Sequence, residues 1–200
     1  RKESSAASDV YKRQCGCRAR RERLCVTRSV LLLRAVNVSG RNRVPMAQLR
    51  EVLAPVLGEV STYIASGNIV CEHPDDPTSV SARVRELIAD EFDVDTPVIL
   101  RTHDDLVRAL DAHPFGGASE KLLHAMFLEA PAAPGAVEAL QERLVPGERI
   151  ALVGDDLWIE YAEGGVHSTR LTKAVLDRAL GVAGTARNLR TVRKLAELTA

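Results

Sequence analysis

The sequence predicts an α+β fold: two tandem ferredoxin-like plaits, each in the order β-α-β-β-α-β, with a C-terminal helix closing the chain. Three observations carry that prediction. Short apolar runs of strand length alternate with segments whose apolar residues recur at helical spacing. The element order of residues 29–102 returns in residues 122–200, after a linking helix and loop at 103–121. Without its first 25 residues the chain retains about 175, enough for one domain or two small ones.

Val30–Val36 is an apolar run interrupted only by Arg34, the signature of a buried strand. Pro45 opens a helix with Met46, Leu49, Val52, Leu53, Val56 and Leu57 on one face, and Gly58 ends it. Glu59–Ile64 and Asn68–Glu72 read as strands joined by Ala65-Ser66-Gly67. Pro77–Phe92 is a second helix, with Val80, Val84, Leu87, Ile88 and Phe92 along its apolar side, and Pro97–Arg101 a fourth strand. Asp104–Ala112 is the linking helix. Strand Leu122–Glu129, helix Gly135–Leu144, a hairpin of Arg149–Val153 and Leu157–Tyr161 around Gly154-Asp155-Asp156, helix Thr169–Leu180 and edge strand Gly184–Arg187 form the second series. Leu189–Leu198 is the closing helix.

Residues 1–25 are set apart from the fold. Ser4–Gln14 resembles the translation of a sequencing adapter, Cys15–Cys25 reads as upstream GC-rich sequence, and Val26 is a candidate natural start. The segment is expected to be non-native and disordered. It holds eight basic and three acidic residues, so residues 26–200 carry 19 basic and 24 acidic side chains, a formal charge of −5. A mildly acidic domain lacks the phosphate-neutralising excess that sequence-independent nucleic-acid binding draws on, so nucleic acid is an unfavoured partner. Only Cys71 remains in this part of the chain, which offers no disulfide framework and fits a reducing cytoplasm. No stretch approaches the roughly 20 apolar residues of a membrane span.

The candidate site lies in two loops. Arg34-Ala-Val-Asn37-Val-Ser39-Gly40-Arg41-Asn-Arg43 and Tyr63-Ile-Ala-Ser66-Gly67-Asn68 each follow a strand-like run and concentrate Asn, Ser, Gly and Arg, the composition of a backbone-lined anion site. In a plait, strands one and three are antiparallel neighbours, so Arg34–Asn37 and Ser66–Asn68 are expected to meet on one rim. Each residue also has a structural reading: Arg34 as a partner in an ion pair, Asn37 as a turn brace, Arg41 and Arg43 as solvated charges, Ser66-Gly67-Asn68 as turn chemistry. In the second half, Thr169 reads as an N-cap. Arg170 and Lys173 lie in the first helical turn, against the helix dipole, and Arg187 and Asn188 complete the candidate set.

Taken in order, Leu32-Leu-Arg34-Ala-Val-Asn37-Val-Ser-Gly40, Tyr63-Ile-Ala-Ser66-Gly67-Asn68, His113-Pro-Phe115, Gly165-Val-His-Ser-Thr169-Arg170-Leu-Thr172 and Thr185-Ala-Arg187-Asn188-Leu189-Arg190 resemble the bacterial family known as domain of unknown function 1697. The resemblance implies two ferredoxin-like subdomains and leaves the activity open. Ala35 and Ser39 stand where the family pattern has glycines, Leu189 where it has tryptophan, and Thr169-Arg170 where it has Ser-Lys. An alanine or serine at a left-handed glycine position would be strained.

No catalytic set is readable. His73, His103, His113, His124 and His167 lack metal-ligand spacing, Asp155-Asp156 reads as a turn, and Cys71 reads as a small buried residue. Neither a phosphate-binding Gly-Lys loop nor a dinucleotide fingerprint occurs. No metal or cofactor is expected. The favoured class is a binding module for an anionic small molecule at the rim. The alternatives are an enzyme that orients an oxyanion between the two halves through Arg34, Asn37, Ser66 and Asn68, or an RNA- or protein-interaction module. Scarce aromatics argue against base stacking.

Overall fold

The computed structural model describes residues 27–38 and 40–200. The expectations for residues 1–25 and for Ser39 lie outside the described residues. The chain is mixed α+β, with two four-stranded antiparallel sheets and six α-helices among the described residues.

The first sheet is built from β1 (Arg28–Leu33), β2 (Ser61–Tyr63), β3 (Asn68–Glu72) and β4 (Val98–Thr102) in the spatial order β2-β3-β1-β4. Helices α1 (Met46–Leu57) and α2 (Pro77–Phe92) connect them. The second sheet holds β5 (Leu123–Leu128), β6 (Arg149–Val153), β7 (Asp156–Glu160) and β8 (Gly184–Asn188) in the order β6-β7-β5-β8, with α4 (Ala136–Gln141) and α5 (Lys173–Leu180) between them. Helix α3 (His103–Ala112) links the halves, and α6 (Leu189–Thr199) follows β8.

Strand alternation sorts the apolar residues into three cores. Leu31, Leu33, Ile69 and Cys71 face Leu49 and Leu53 of α1 and Val84 and Ile88 of α2. Met126, Leu157 and Ile159 face Leu140 of α4 and Leu176 and Leu180 of α5. The remaining faces turn toward each other. Val30, Leu32, Val70 and Ile99 of the first sheet join Ala125, Phe127 and Trp158 of the second, together with Leu106 of α3 and Val192 and Leu195 of α6. The inner face of each sheet is thus consumed at the junction between the halves.

Several boundaries move, each for a local reason. Strand β2 stops at Tyr63 because Ile64 turns left-handed, with φ 50°. Helix α4 starts after Gly135, itself left-handed at φ 77°, and is shorter than the expected Gly135–Leu144. The largest correction concerns α5: the N-cap is Thr172, whose hydroxyl accepts from the Val175 N–H, and not Thr169. Thr169 instead closes a local turn by accepting from the Leu171 N–H at 3.0 Å, so Arg170 precedes the helix and opposes no dipole. Asp156, expected in the hairpin turn, is the first residue of β7.

Candidate functional site

Antiparallel pairing of β1 with β3 sets Leu32 opposite Asn68, and the Leu33 N–H donates to Gly67 O at 2.8 Å. The loops after β1 and before β3 therefore share one rim. The Asn37 amide joins them: Nδ2 donates to Val44 O at 2.9 Å and to Ala65 O at 2.8 Å, and Oδ1 accepts from the Val44 N–H at 2.9 Å. Asn68, fully buried, donates through Nδ2 to Tyr63 O at 2.9 Å and to Ser66 Oγ at 3.0 Å. Gly67 sits at φ 75°, and a Cβ there would lie 2.7 Å from both Leu33 Cβ and Val36 Cγ2, so that position admits only glycine. Ala35 takes φ 52° where the family pattern has glycine, and the loop carries that strain.

The guanidinium of Arg187 is the centre of this assembly. It reaches from β8 into the first half, where Nε donates to Asn68 Oδ1 at 2.5 Å and Nη2 donates to Leu33 O at 2.8 Å and Ser66 O at 3.0 Å. Nη1 donates to Thr185 Oγ1 at 2.7 Å and Ala186 O at 2.9 Å. Every one of these acceptors is neutral. Burial pushes Arg187 down to about 10, which leaves it protonated at neutral pH. Arg34, also in the rim, pairs with Asp177 of α5 and is itself 11 % exposed.

The rim residues expected to bind a ligand are accordingly sorted by the structure. Arg34, Asn37, Ser66, Gly67, Asn68 and Arg187 lie along one rim; Arg187 bonds to Asn68, Ser66 and Gly67, while Asn37 bonds to Val44 and Ala65 and Arg34 to Asp177. Tyr63 is half-buried in β2, while Gly40 and Arg41 stand exposed at the loop tip with Arg43. Asn188 caps α6 by accepting from the Thr191 N–H at 2.9 Å. Thr169 and Arg170 belong to the loop before α5, away from the rim, which α5 itself meets through Asp177 and Arg34.

A second feature had no sequence signal. A cleft of about 550 Å³ opens where β4, α3, the β5–α4 loop and the β6–β7 turn converge. Arg101 crosses its inner wall from the first sheet to the second, donating to Leu128 O at 2.8 Å and to Asp156 Oδ1 at 3.2 Å, with its Cζ 5.4 Å from the Phe127 ring centre. Burial raises the Asp156 carboxyl above its ordinary range, and Arg101 opposes that rise. On α3, Arg108 pairs with Asp105. Burial also pushes Asp105 upward, but its hydrogen bonds with Thr102 and the nearby Arg108 bring it net below the usual carboxylate value.

Trp158 lines this cleft and is fully buried, with no hydrogen-bond partner for Nε1. Its ring centre lies 5.5 Å from that of His113, whose Nδ1 is likewise unpartnered. Buried polar atoms are nearly always bonded, so two orphans on neighbouring rings are unusual; Trp158 lines the cleft and His113 stands behind it. Elsewhere, burial and then Glu72 push the Cys71 thiol up to about 11, which rules out a thiolate nucleophile at neutral pH. Among the described residues no group of His, Cys, Asp and Glu could hold a metal ion, and no helix is long and apolar enough to cross a membrane.

Comparison with known proteins agrees with this architecture. A family model described as "Protein of unknown function (DUF1697)" matches residues 26–158. A solved structure, that of the conserved bacterial protein SP0830 from Streptococcus pneumoniae, is similar at a TM-score of 0.68 and 25% identity. The match covers 87% of this chain and 99% of that one. No curated protein matches the chain.

Proposed function

The chain belongs to the DUF1697 family, described as proteins of unknown function, and from that premise we propose that it is a binding module for a small polar ligand held between its two halves. The observation that carries the reading is the cleft of about 550 Å³, walled by both halves and floored by the Arg101–Asp156 pair and the unpartnered Trp158. A pocket of that size with a few convergent polar groups at a junction is the usual seat of a small ligand. We also read each half as a ferredoxin-like unit, on the strand orders β2-β3-β1-β4 and β6-β7-β5-β8. The sheet faces on which such units stack RNA bases are here filled by the shared core, which favours a small ligand over RNA.

Binding is favoured over catalysis because the rim presents arginines and neutral groups, with Arg187 held by neutral oxygens, and no activated nucleophile. A second reading keeps the ligand at the rim: exposed Arg41 and Arg43 flank the left-handed Asn42, and an anion would seat on those two exposed guanidiniums.

A thermal-shift screen of the full chain against small polar metabolites separates the two. A ligand at about 100 times its Kd stabilises by roughly 2.7 kcal/mol. A shift lost in Arg108→Ala and kept in Arg41→Ala/Arg43→Ala supports the cleft. The reverse pattern moves the ligand to the rim, and a screen without any shift counts against a small-molecule role.

A further inference from the structure

The free edge of the first sheet lies in a groove, and we infer that it takes an added strand: an extended, uncharged peptide segment with aliphatic side chains at alternate positions. Strand β4 is terminal in the order β2-β3-β1-β4. A groove of about 400 Å³ runs along it, lined by the four consecutive residues Val98–Arg101, by Ser81 and Ala82 of α2, and by Glu129 of the second half. Successive strand side chains point to opposite faces, so one groove touches all four residues only where the backbone edge itself is open. This edge shares only Arg101 and Glu129 with the small-ligand cleft.

Hydrogen-bond parity in β1 identifies the open edge groups. The Leu33 N–H donates to Gly67 O on the β3 side. Alternate residues of an antiparallel strand turn their backbone groups to opposite neighbours, so Leu31 and Ser29 also face β3. Their partners in β4 are Val98 opposite Leu33, Leu100 opposite Leu31 and Thr102 opposite Ser29. These three therefore direct N–H and C=O away from β1. Thr102 agrees, since its N–H donates to Asp105 Oδ2 at 2.8 Å. At Leu100 the carbonyl accepts from Arg101 Nη1 at 2.9 Å. Among the described residues nothing bonds to the Val98 N–H, Val98 O or Leu100 N–H from the outer side. Val98 is only 6 % exposed, so water serves its two open groups poorly. Buried backbone groups are almost always paired, and an added strand would pair these.

The surroundings select a single chain over a second copy. Helix α2 walls the edge on one face, and Glu129, next to the Leu128 carbonyl that Arg101 holds, walls it on the other. A second copy would bring the same two walls, and the matching edges would be held apart. An edge of four residues spans only about 10 Å, far short of what the roughly 800 Å² per partner of a stable dimer requires. The charges are matched already: Arg85 is bonded to Asp95 and acted on by Glu129, and Arg101 is bonded to Asp156. An uncharged occupant fits that balance. Val98 and Leu100 pack on the α2 side of the sheet, and the small Ser81 and Ala82 leave room beside them for aliphatic side chains.

The test uses the isotope-labelled full chain and the peptide acetyl-Ser-Val-Ser-Val-Ser-amide. In the antiparallel register its two valines stand opposite Leu100 and Val98, with their N–H and C=O toward the edge. Binding should shift the Val98 and Leu100 amide resonances and slow their hydrogen exchange, while Ile99 and Arg101, bonded to β1, keep theirs. Methylation of the two valine nitrogens should weaken binding by about tenfold, and methylation of the central serine nitrogen should not. The counterpart with glutamate in place of valine should bind about tenfold more weakly. Ala82→Phe fills the groove from an exposed position on α2 and should abolish binding at an unchanged melting temperature.

If the two methylated peptides bind equally, or if no peptide moves the Val98 and Leu100 amides, strand addition is overturned. Equal binding of the glutamate peptide overturns the side-chain class. If the two amides exchange slowly in the free chain and sedimentation gives a dimer, a second copy holds the edge and the peptide assignment falls.

Discussion

At the scale of single residues, Arg187 has the largest expected effect. It brings five N–H donors to neutral oxygens drawn from both halves. Arg187→Met would strand several buried acceptors, among them Asn68 Oδ1 and Leu33 O, and should destabilise by at least about 3 kcal/mol in urea unfolding. Arg187→Lys should recover little, because an ammonium has three donors in place of a planar fork of five. Ala35 presents the opposite case. Its φ of 52° costs an L-residue roughly 1–2 kcal/mol, so Ala35→Gly should stabilise by up to about 1 kcal/mol after the added freedom of the unfolded chain. A decrease in stability on that substitution would mean that the loop carries no strain. The sequence pointed to both residues, by their place in a family pattern, and to neither outcome. An arginine beside an asparagine in a loop-like motif looks like a ligand donor until the acceptors surrounding it are known, and those of Asn68, Leu33 and Ser66 lie more than a hundred positions away.

Among the elements, helix α3 rests on a complete capping box: the Thr102 hydroxyl accepts from the Asp105 N–H, and the Asp105 carboxylate accepts from the Thr102 N–H. Thr102→Ala should cost about 1 kcal/mol, read as a lower midpoint in chemical denaturation. In β5, burial holds the His124 imidazole below its ordinary value. A depressed folded-state value keeps its stabilising contribution above the ordinary imidazole range, near 6.5, and loses it as the pH falls through the lower folded-state value. The melting temperature should decline across that acid interval, and His124→Gln should flatten the decline. Elements were legible where periodicity was long. The sixteen residues of α2, Pro77–Phe92, match the expected span, because five apolar positions and an N-terminal proline leave one solution. Legibility failed where one backbone angle decides. Ile64 cuts β2 short by turning left-handed, a conformation no β-branched residue advertises. Two threonines three positions apart competed to cap α5, and Thr172 prevailed because Leu171 is buried and fixes the chain just before it.

For the whole molecule, the decisive fact is the core shared by both sheets with α3 and α6. Calorimetry of the full chain should show one cooperative transition, with calorimetric and van't Hoff enthalpies in agreement; two resolved transitions would mean that the halves fold separately. The meeting of the two rim loops was readable from strand adjacency alone. The cleft was not, since Arg101, Asp105, Glu129 and Asp156 are dispersed over three elements and a loop, and converge only when one half docks on the other. Asp156 in particular looks like turn material in sequence and becomes a buried partner through its register in β7. The shared core also bears on how such a chain can be inherited. A gene fragment encoding the first half alone would yield a sheet with Val30, Leu32, Val70 and Ile99 bared to water and Asn68 missing its arginine. The two halves are therefore expected to be inherited together, since neither could bury the inner face of its sheet alone.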